Sequence, residues 1–160
     1  EDGLRSTITM LHGLVSLMVK GLSAEEDALL DRALYETYAL KDISIDPATQ
    51  KNTPPLLTDL HSVLGNMTGA ESLANRLSKY TEGSFSGLFT QPTNFELGRG
   101  LIVFSVRDLE DQLRPIGMYL ILNYIWNRVR FDQRKRLLVI DEAWFMLQHE
   151  DWAKFVFSIA

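Results

Sequence analysis

The sequence contains no cysteine, no excess of basic residues and no long uninterrupted apolar run. Without cysteine there are no disulfide bonds, no thiolate zinc sites and no cysteine nucleophiles. The 16 Lys and Arg residues stand against 21 Asp and Glu residues, and this net charge of −5 is not typical of a dedicated nucleic-acid-binding protein. The longest apolar-rich stretch, residues 8–19, is interrupted by polar residues and is far shorter than the roughly 20 apolar residues that a membrane span needs.

Histidine is also scarce, and its distribution argues against a metal site. His12, His61 and His149 are scattered without the spacing of metal ligands.

The overall composition is that of an ordinary globular protein, 46% hydrophobic and 23% charged over 160 residues. This length and balance predict one domain, or one domain with a small appendage, with a sizeable core.

The first half of the chain has the spacing of helices. Apolar residues recur every three or four positions over residues 4–22 and 29–39, which predicts two helices that each bury one face. Gly21 is placed to end the first helix. Ser23 and Glu26 have the spacing of a capping box that opens the second.

Two further helices are predicted, one through residues 60–64 and one through residues 73–80. Thr58 is a candidate N-cap for the first. Thr68 and Glu71 have the spacing of another capping box for the second. The segments between the helices are rich in proline and glycine and are expected to be loops.

The second half changes to a strand and helix pattern. Residues 101–106 are apolar and rich in β-branched side chains, which favours a strand buried on both faces. A long helix is predicted over residues 112–131, with Pro115 in its first turn, and a second strand over residues 137–140. Strand, helix and strand together predict a βαβ unit with parallel strands.

Two carboxylates follow the second predicted strand. Asp141 and Glu142 come directly after four apolar residues, which is the Walker B pattern of P-loop ATPases. Ligands of open α/β sheets bind at the carboxyl ends of the strands. Asp141 is therefore the candidate Mg²⁺ ligand beside the nucleotide, and Glu142 is the candidate group that orients or deprotonates the attacking water. The alternative is a buried strand that ends in two solvated acids.

Arg107 follows the first predicted strand and is expected at the same edge of the sheet. Two interpretations remain open for it. Its guanidinium contacts a phosphate of the nucleotide, or it forms a surface salt bridge with a neighbouring acid.

The segment Leu137-Leu138-Val139-Ile140-Asp141-Glu142-Ala143-Trp144 resembles the Walker B segment of the conjugative type IV secretion ATPases of the VirB/TraC type. That family's version typically reads as an apolar run followed by Asp-Glu-Ala-Trp. Residues 53–60 are similar to the proline-led helix opening of its all-α subdomain, and residues 87–97 to the irregular segment before its next strand. The resemblance extends over nearly the whole chain.

The resemblance implies an α/β fold, with a mostly helical subdomain over residues 1–98 and a partial RecA-like P-loop βαβ core over residues 99–160. It implies a hexameric motor that uses ATP and Mg²⁺ to power conjugative transfer, pilus assembly and type IV secretion. It also implies a cytoplasmic protein, peripheral at the inner-membrane face, with other secretion components as partners. By this resemblance Asp141 is the Mg²⁺ residue and Glu142 the catalytic carboxylate.

Other functions remain open at this stage. The chain is alternatively a non-enzymatic helical module for subunit or partner docking, or part of a DNA-pumping translocase of the related superfamily. Direct nucleic-acid binding is also open, because Arg128, Arg130, Arg134, Lys135 and Arg136 form a basic cluster. The same cluster is explained by the favourable interaction of cations with the C-terminus of the predicted helix.

The sequence departs from the family in one respect that predicts its activity. No Gly-x-x-x-x-Gly-Lys-[Ser/Thr] loop occurs in it, so the lysine and backbone cradle for the β- and γ-phosphates are missing. We therefore expect an internal piece of a longer ATPase that does not hydrolyse ATP by itself. Measurable release of phosphate from Mg-ATP by the pure chain would contradict this expectation.

Overall fold

The computed structural model describes residues 3–93, 100–131 and 135–141. The chain divides into two units, Glu1–Tyr119 and Leu120–Ala160. The described helices are α1 (Gly3–Met18), α2 (Ala24–Ala39), α3 (Leu57–Gly65), α4 (Glu71–Thr81), α5 (Ser86–Phe89) and α6 (Arg114–Phe131), with a 3₁₀ turn at Thr49–Lys51. The boundary between the units falls within α6.

The apolar faces predicted for the first helices are confirmed. Each of α1 to α4 buries one side, and these sides form the core of the first unit. Helix α2 packs against α1 and α3, while α4 packs against α3 and α5. The largest side chains with essentially no exposure are Leu30, Leu34, Leu64, Leu73, Leu77 and Ile116.

The turn between α1 and α2 has the caps that the sequence predicts. The Glu26 N–H donates to Ser23 Oγ at 3.2 Å, and the Ser23 N–H donates to a Glu26 carboxylate oxygen at 2.9 Å. At the end of α1, the Gly21 N–H donates to the Ser16 carbonyl at 2.8 Å, with Gly21 at a φ of 97°. Glycine occupies this left-handed conformation without the steric penalty that a Cβ atom brings.

A side chain from α4 holds this turn from the outside. Arg76 Nη1 donates to the carbonyl oxygens of Val19 and Gly21, each at 3.0 Å, and its Nη2 forms an ion pair with the Glu26 carboxylate. One guanidinium thus satisfies two carbonyls in the turn that follows α1 and binds the carboxylate that caps α2.

Tyr80, one helical turn after Arg76, adds a buried contact to the same turn. Its hydroxyl donates to the Met18 carbonyl at 2.9 Å. Its ring packs against Phe85 and Phe89, with centroids 5.7 Å away in both cases. Burial raises the pKa of the Tyr80 hydroxyl, so the group stays protonated as a donor.

The other two predicted N-caps are wrong. Helix α3 begins at Leu57, and the Asp59 carboxylate accepts from the Leu56 N–H at 2.7 Å, so Thr58 is not its cap. This backbone hydrogen bond, followed by the Lys41 ammonium, lowers the pKa of Asp59. Helix α4 follows Ala70 without a side-chain cap, so Thr68 does not form the predicted capping box.

The predicted α/β fold with a partial RecA-like P-loop βαβ core is wrong. Among the described residues there is no strand and no sheet, and residues 101–106 and 135–140 have no regular secondary structure. Leu101 and Val103 are 93% and 78% exposed, and Leu137 and Val139 are 89% and 77% exposed. The apolar pattern supplies strand propensity only, because a strand also needs a neighbour that accepts its backbone hydrogen bonds.

Helix α6 is confirmed close to its predicted bounds, with Pro115 in its first turn. Early in α6, the Tyr119 hydroxyl donates to the Met10 carbonyl of α1 at 3.0 Å. It lies over Gly13, where a Cβ atom would clash with the Tyr119 oxygen. In the parts of the chain that the structure describes, no helix combines the length and apolar character needed to cross a bilayer.

Replacing Arg76 with methionine should destabilise the first unit by roughly 2 kcal/mol. The variant leaves two carbonyls and the Glu26 carboxylate without their charged donor. The measurement is urea unfolding followed by helical circular dichroism. Arg76→Lys should lose less, since an ammonium still donates but without the planar fork. Arg32→Met, on the exposed face of α2, should change stability by less than about 0.5 kcal/mol; equal losses for Arg76→Met and Arg32→Met would refute the role of Arg76.

Acid should weaken the same turn. The backbone N–H of Ser23, followed by Arg76, lowers the pKa of Glu26 from its ordinary value of 4.5. The carboxylate therefore contributes stability fully above pH 4.5, and this contribution is lost as the pH falls through the lower folded-state pKa. Glu26→Gln should lower the melting temperature at neutral pH and flatten its decline in acid. The neighbouring exposed Glu25→Gln is the control and should keep the slope of the wild type.

Candidate functional site

Arg107 lies in a tight turn that directly follows residues 101–106. The Leu109 N–H donates to the Val106 carbonyl at 3.3 Å, which makes Arg107 and Asp108 the two central residues of the turn. Both are exposed. Within the described residues no carboxylate lies at ion-pair distance from Arg107. The guanidinium therefore keeps its donors available for an anionic ligand.

The segment after Arg107 is anchored in the first unit. Leu109 is partly buried against its core. It approaches Gly117 of α6 so closely that a Cβ atom there would lie 2.7 Å from Leu109 Cδ1. The Glu110 carbonyl accepts from the N–H groups of Leu113 and Arg114 at 2.8 and 3.0 Å, which opens α6. The Arg107 turn is thus followed directly by the first hydrogen bonds of α6.

A polar bridge joins this segment to α4. Lys79 Nζ donates to Gln112 Oε1 at 2.6 Å, and Gln112 Nε2 donates to a Glu110 carboxylate oxygen at 3.1 Å. The Lys79 ammonium also lies 4.6 Å from the centroid of the Phe85 ring, a cation–π distance. The lysine therefore has a defined position between the aromatic ring and the amide.

The other two predicted site residues belong to the end of the described chain. Asp141 is exposed and directly follows residues 135–140. Glu142 lies outside the described residues. Arg107 is in the first unit and Asp141 in the second, so the structure describes each separately. The assignment of Asp141, Glu142 and Arg107 to a nucleotide site stays a prediction.

No metal centre is found in the described ranges. They contain no group of three or more His, Asp and Glu side chains that would hold a metal ion. His12 lies 3.3 Å from an Asp27 carboxylate oxygen, and His61 lies 3.7 Å from one of Glu82. Each of these histidines therefore contacts a single carboxylate. A single exposed carboxylate such as Asp141 nevertheless suits Mg²⁺, which often keeps several waters and takes its other ligands from phosphates.

The basic cluster is described only in part. Arg128, Lys135 and Arg136 are exposed. Arg134 lies outside the described residues. Three exposed cations on a chain of net charge −5 do not by themselves define a nucleic-acid surface.

A cavity of about 350 Å³ lies between α2 and α3. Val63 and Met67, both nearly buried, form its apolar floor. Arg32 and Glu36 stand on the α2 side, and Asn66 on the α3 side. Because side chains of both charge signs line this cavity, its charge favours neither an anionic nor a cationic ligand.

Sequence reasoning did not identify the contacts of α4. Lys79 and Gln112 are 33 positions apart, and Arg76 contacts residues more than 50 positions earlier. Neither spacing is periodic or local, so no pattern along the chain predicts them. The one signal in the sequence was that Arg76 and Lys79 are both cations on the polar face of a predicted helix.

No protein-family model matches the chain, and no curated protein matches it. Among solved structures, VirB4 of Thermoanaerobacter pseudethanolicus is similar, with a TM-score of 0.77 and 29% sequence identity. The likeness covers 88% of this chain and 57% of that one, so the chain spans little more than half the length of the solved VirB4 chain. The resemblance to type IV secretion ATPases of the VirB type is thereby confirmed.

Proposed function

We propose, from this likeness to VirB4, that the chain is the part of a type IV secretion ATPase that supplies the metal-binding and water-activating carboxylates. The observation that supports it most is the Asp141-Glu142 pair, which follows an apolar run in a chain similar to VirB4 over 88% of its length. ATP hydrolysis by the longer protein would power conjugative transfer and secretion. The proposal includes a hexamer at the cytoplasmic face of the inner membrane, in contact with other secretion components.

The roles of the residues follow from their chemistry. Asp141 holds Mg²⁺ through its carboxylate, directly or through a water molecule. Glu142 accepts a proton from the attacking water, or orients it, which requires a carboxylate within hydrogen-bond reach of that water. Arg107 donates to phosphate oxygens from its anchored turn. Bound Mg-ATP supplies the phosphoryl group and the charge that these side chains recognise.

The phosphate-binding loop must come from outside these 160 residues, because no Walker A sequence occurs within them. Mg-ATP binding measured by calorimetry tests this division of roles. An extended protein that includes a Walker A loop should bind, and the chain alone should not. Failure of both to bind would leave Asp141 and Glu142 as solvated acids at the end of an apolar segment. The helical docking module would then be the better description.

Glu142→Gln in the extended ATPase should lower the rate of ATP hydrolysis by at least about 100-fold while ATP binding persists. An amide cannot accept the proton that the carboxylate accepts. Asp141→Asn should instead weaken the Mg²⁺-dependent part of ATP binding. Turnover measured by phosphate release and binding measured by calorimetry separate the two effects.

Glu25→Gln is the matched control, because Glu25 is an exposed glutamate on α2. It should leave turnover and binding unchanged. Persistent hydrolysis in Glu142→Gln would rule out the catalytic assignment. Turnover that rises strongly with added DNA would favour a DNA-pumping translocase over a secretion motor.

A further inference from the structure

Helix α4 contacts two distant parts of the first unit through residues on neighbouring turns. Arg76 and Tyr80 bind the end of α1, as described above. Lys79, between them in sequence, binds Gln112 in the segment that follows Arg107. A side chain on a rigid, well-packed helix therefore has a direct contact with the segment that carries the candidate phosphate ligand.

The geometry limits how the Arg107 turn can move. On one side the Val106 to Leu109 hydrogen bond closes the turn, and Leu109 is held against the core. On the other side Gln112 is held by Lys79. Glu110 lies between Leu109 and Gln112. Its carbonyl accepts from the N–H groups of Leu113 and Arg114 at the start of α6, and its carboxylate accepts from Gln112. Releasing Gln112 removes the side-chain hydrogen bond described between this segment and α4.

The bridge contributes little to stability, which makes orientation its main effect. Lys79, Gln112 and Glu110 are all exposed, and exposed polar contacts are typically worth less than about 1 kcal/mol. A displacement of about 1 Å in a group that binds the reacting phosphates can cost up to about 100-fold in rate. The bridge can shift the position of the turn by no more than its own free energy, so its loss should be small in unfolding experiments and should cost at most about fivefold in rate.

We propose that Lys79 is a positioning residue for Arg107: through Gln112 it fixes the turn from which Arg107 contacts the nucleotide phosphates. This inference rests on the proposed function, because Arg107 has a phosphate to contact only in an ATPase. Lys79 itself touches no substrate in this scheme. Its part is to hold the backbone that presents the guanidinium.

The test is steady-state ATPase kinetics of the full-length protein that contains this chain. Lys79→Met and Gln112→Met both break the bridge, and Gln112→Met does so without a change of charge. Each should lower kcat/KM by up to about fivefold, the most that a contact worth less than about 1 kcal/mol can supply. Lys79→Arg, which still donates to Gln112 and still lies over Phe85, should restore most of it.

The discriminating measurement is the double variant with Arg107→Ala. If Lys79 acts through Arg107, then Lys79→Met and Gln112→Met should cause no further loss once Arg107 is gone. Melting temperatures should stay close to that of the wild type throughout. Lys51→Met, an exposed lysine in the 3₁₀ turn, and Arg5→Ala, an exposed arginine on α1, are the matched controls and should leave kcat/KM unchanged.

Three results would overturn the inference. They are an unchanged kcat/KM in both Lys79→Met and Gln112→Met, losses that multiply fully with that of Arg107→Ala, and an Arg107→Ala variant as active as the wild type. The proposed function is tested separately by Glu142→Gln in the same assay. If Glu142→Gln abolishes turnover while Arg107→Ala does not change it, the ATPase assignment stands and the role of Lys79 falls.

Discussion

The contact of Arg76 with the turn between α1 and α2 ties three helices of the first unit together. The turn after α1 presents carbonyl groups that need donors, and here a guanidinium from a distant helix binds those of Val19 and Gly21. The same guanidinium binds Glu26, which also accepts from the Ser23 N–H at the start of α2. The arrangement has a cost, because Arg76 Nε is buried without a hydrogen-bond partner among the described residues.

This contact also explains why α4 is central to the unit. Its apolar side, with Leu73 and Leu77 fully buried, packs into the core. Its polar side reaches outward in two directions, through Arg76 to the α1 end and through Lys79 to the segment after Arg107. A well-packed helix thus gives both polar contacts a common rigid frame. The candidate phosphate ligand is carried by a turn that is tied to this frame.

The described fold was predictable where the determining interactions are local. The buried faces of α1 to α4 follow from apolar spacing, and the Ser23 box from two residues three positions apart. The predicted sheet was wrong, because residues 101–106 and 137–140 have strand composition but no pairing partner in the described chain. Strand preference depends on what packs against the segment, whereas a helix forms its hydrogen bonds within itself. Thr68 failed as a cap because α4 begins after Ala70, two residues later than a Thr68 cap requires.

For the candidate site, the sequence by itself determined the residue types: an acidic pair after an apolar run, and an arginine after another. It also determined the family resemblance, which the likeness to VirB4 confirms. Only the tertiary structure decided that Arg107 lies at the centre of a closed turn and that Lys79 is bridged to the segment behind it. Residue types can be read directly from the sequence, but a contact across 33 positions depends on how the folded chain brings two polar side chains together.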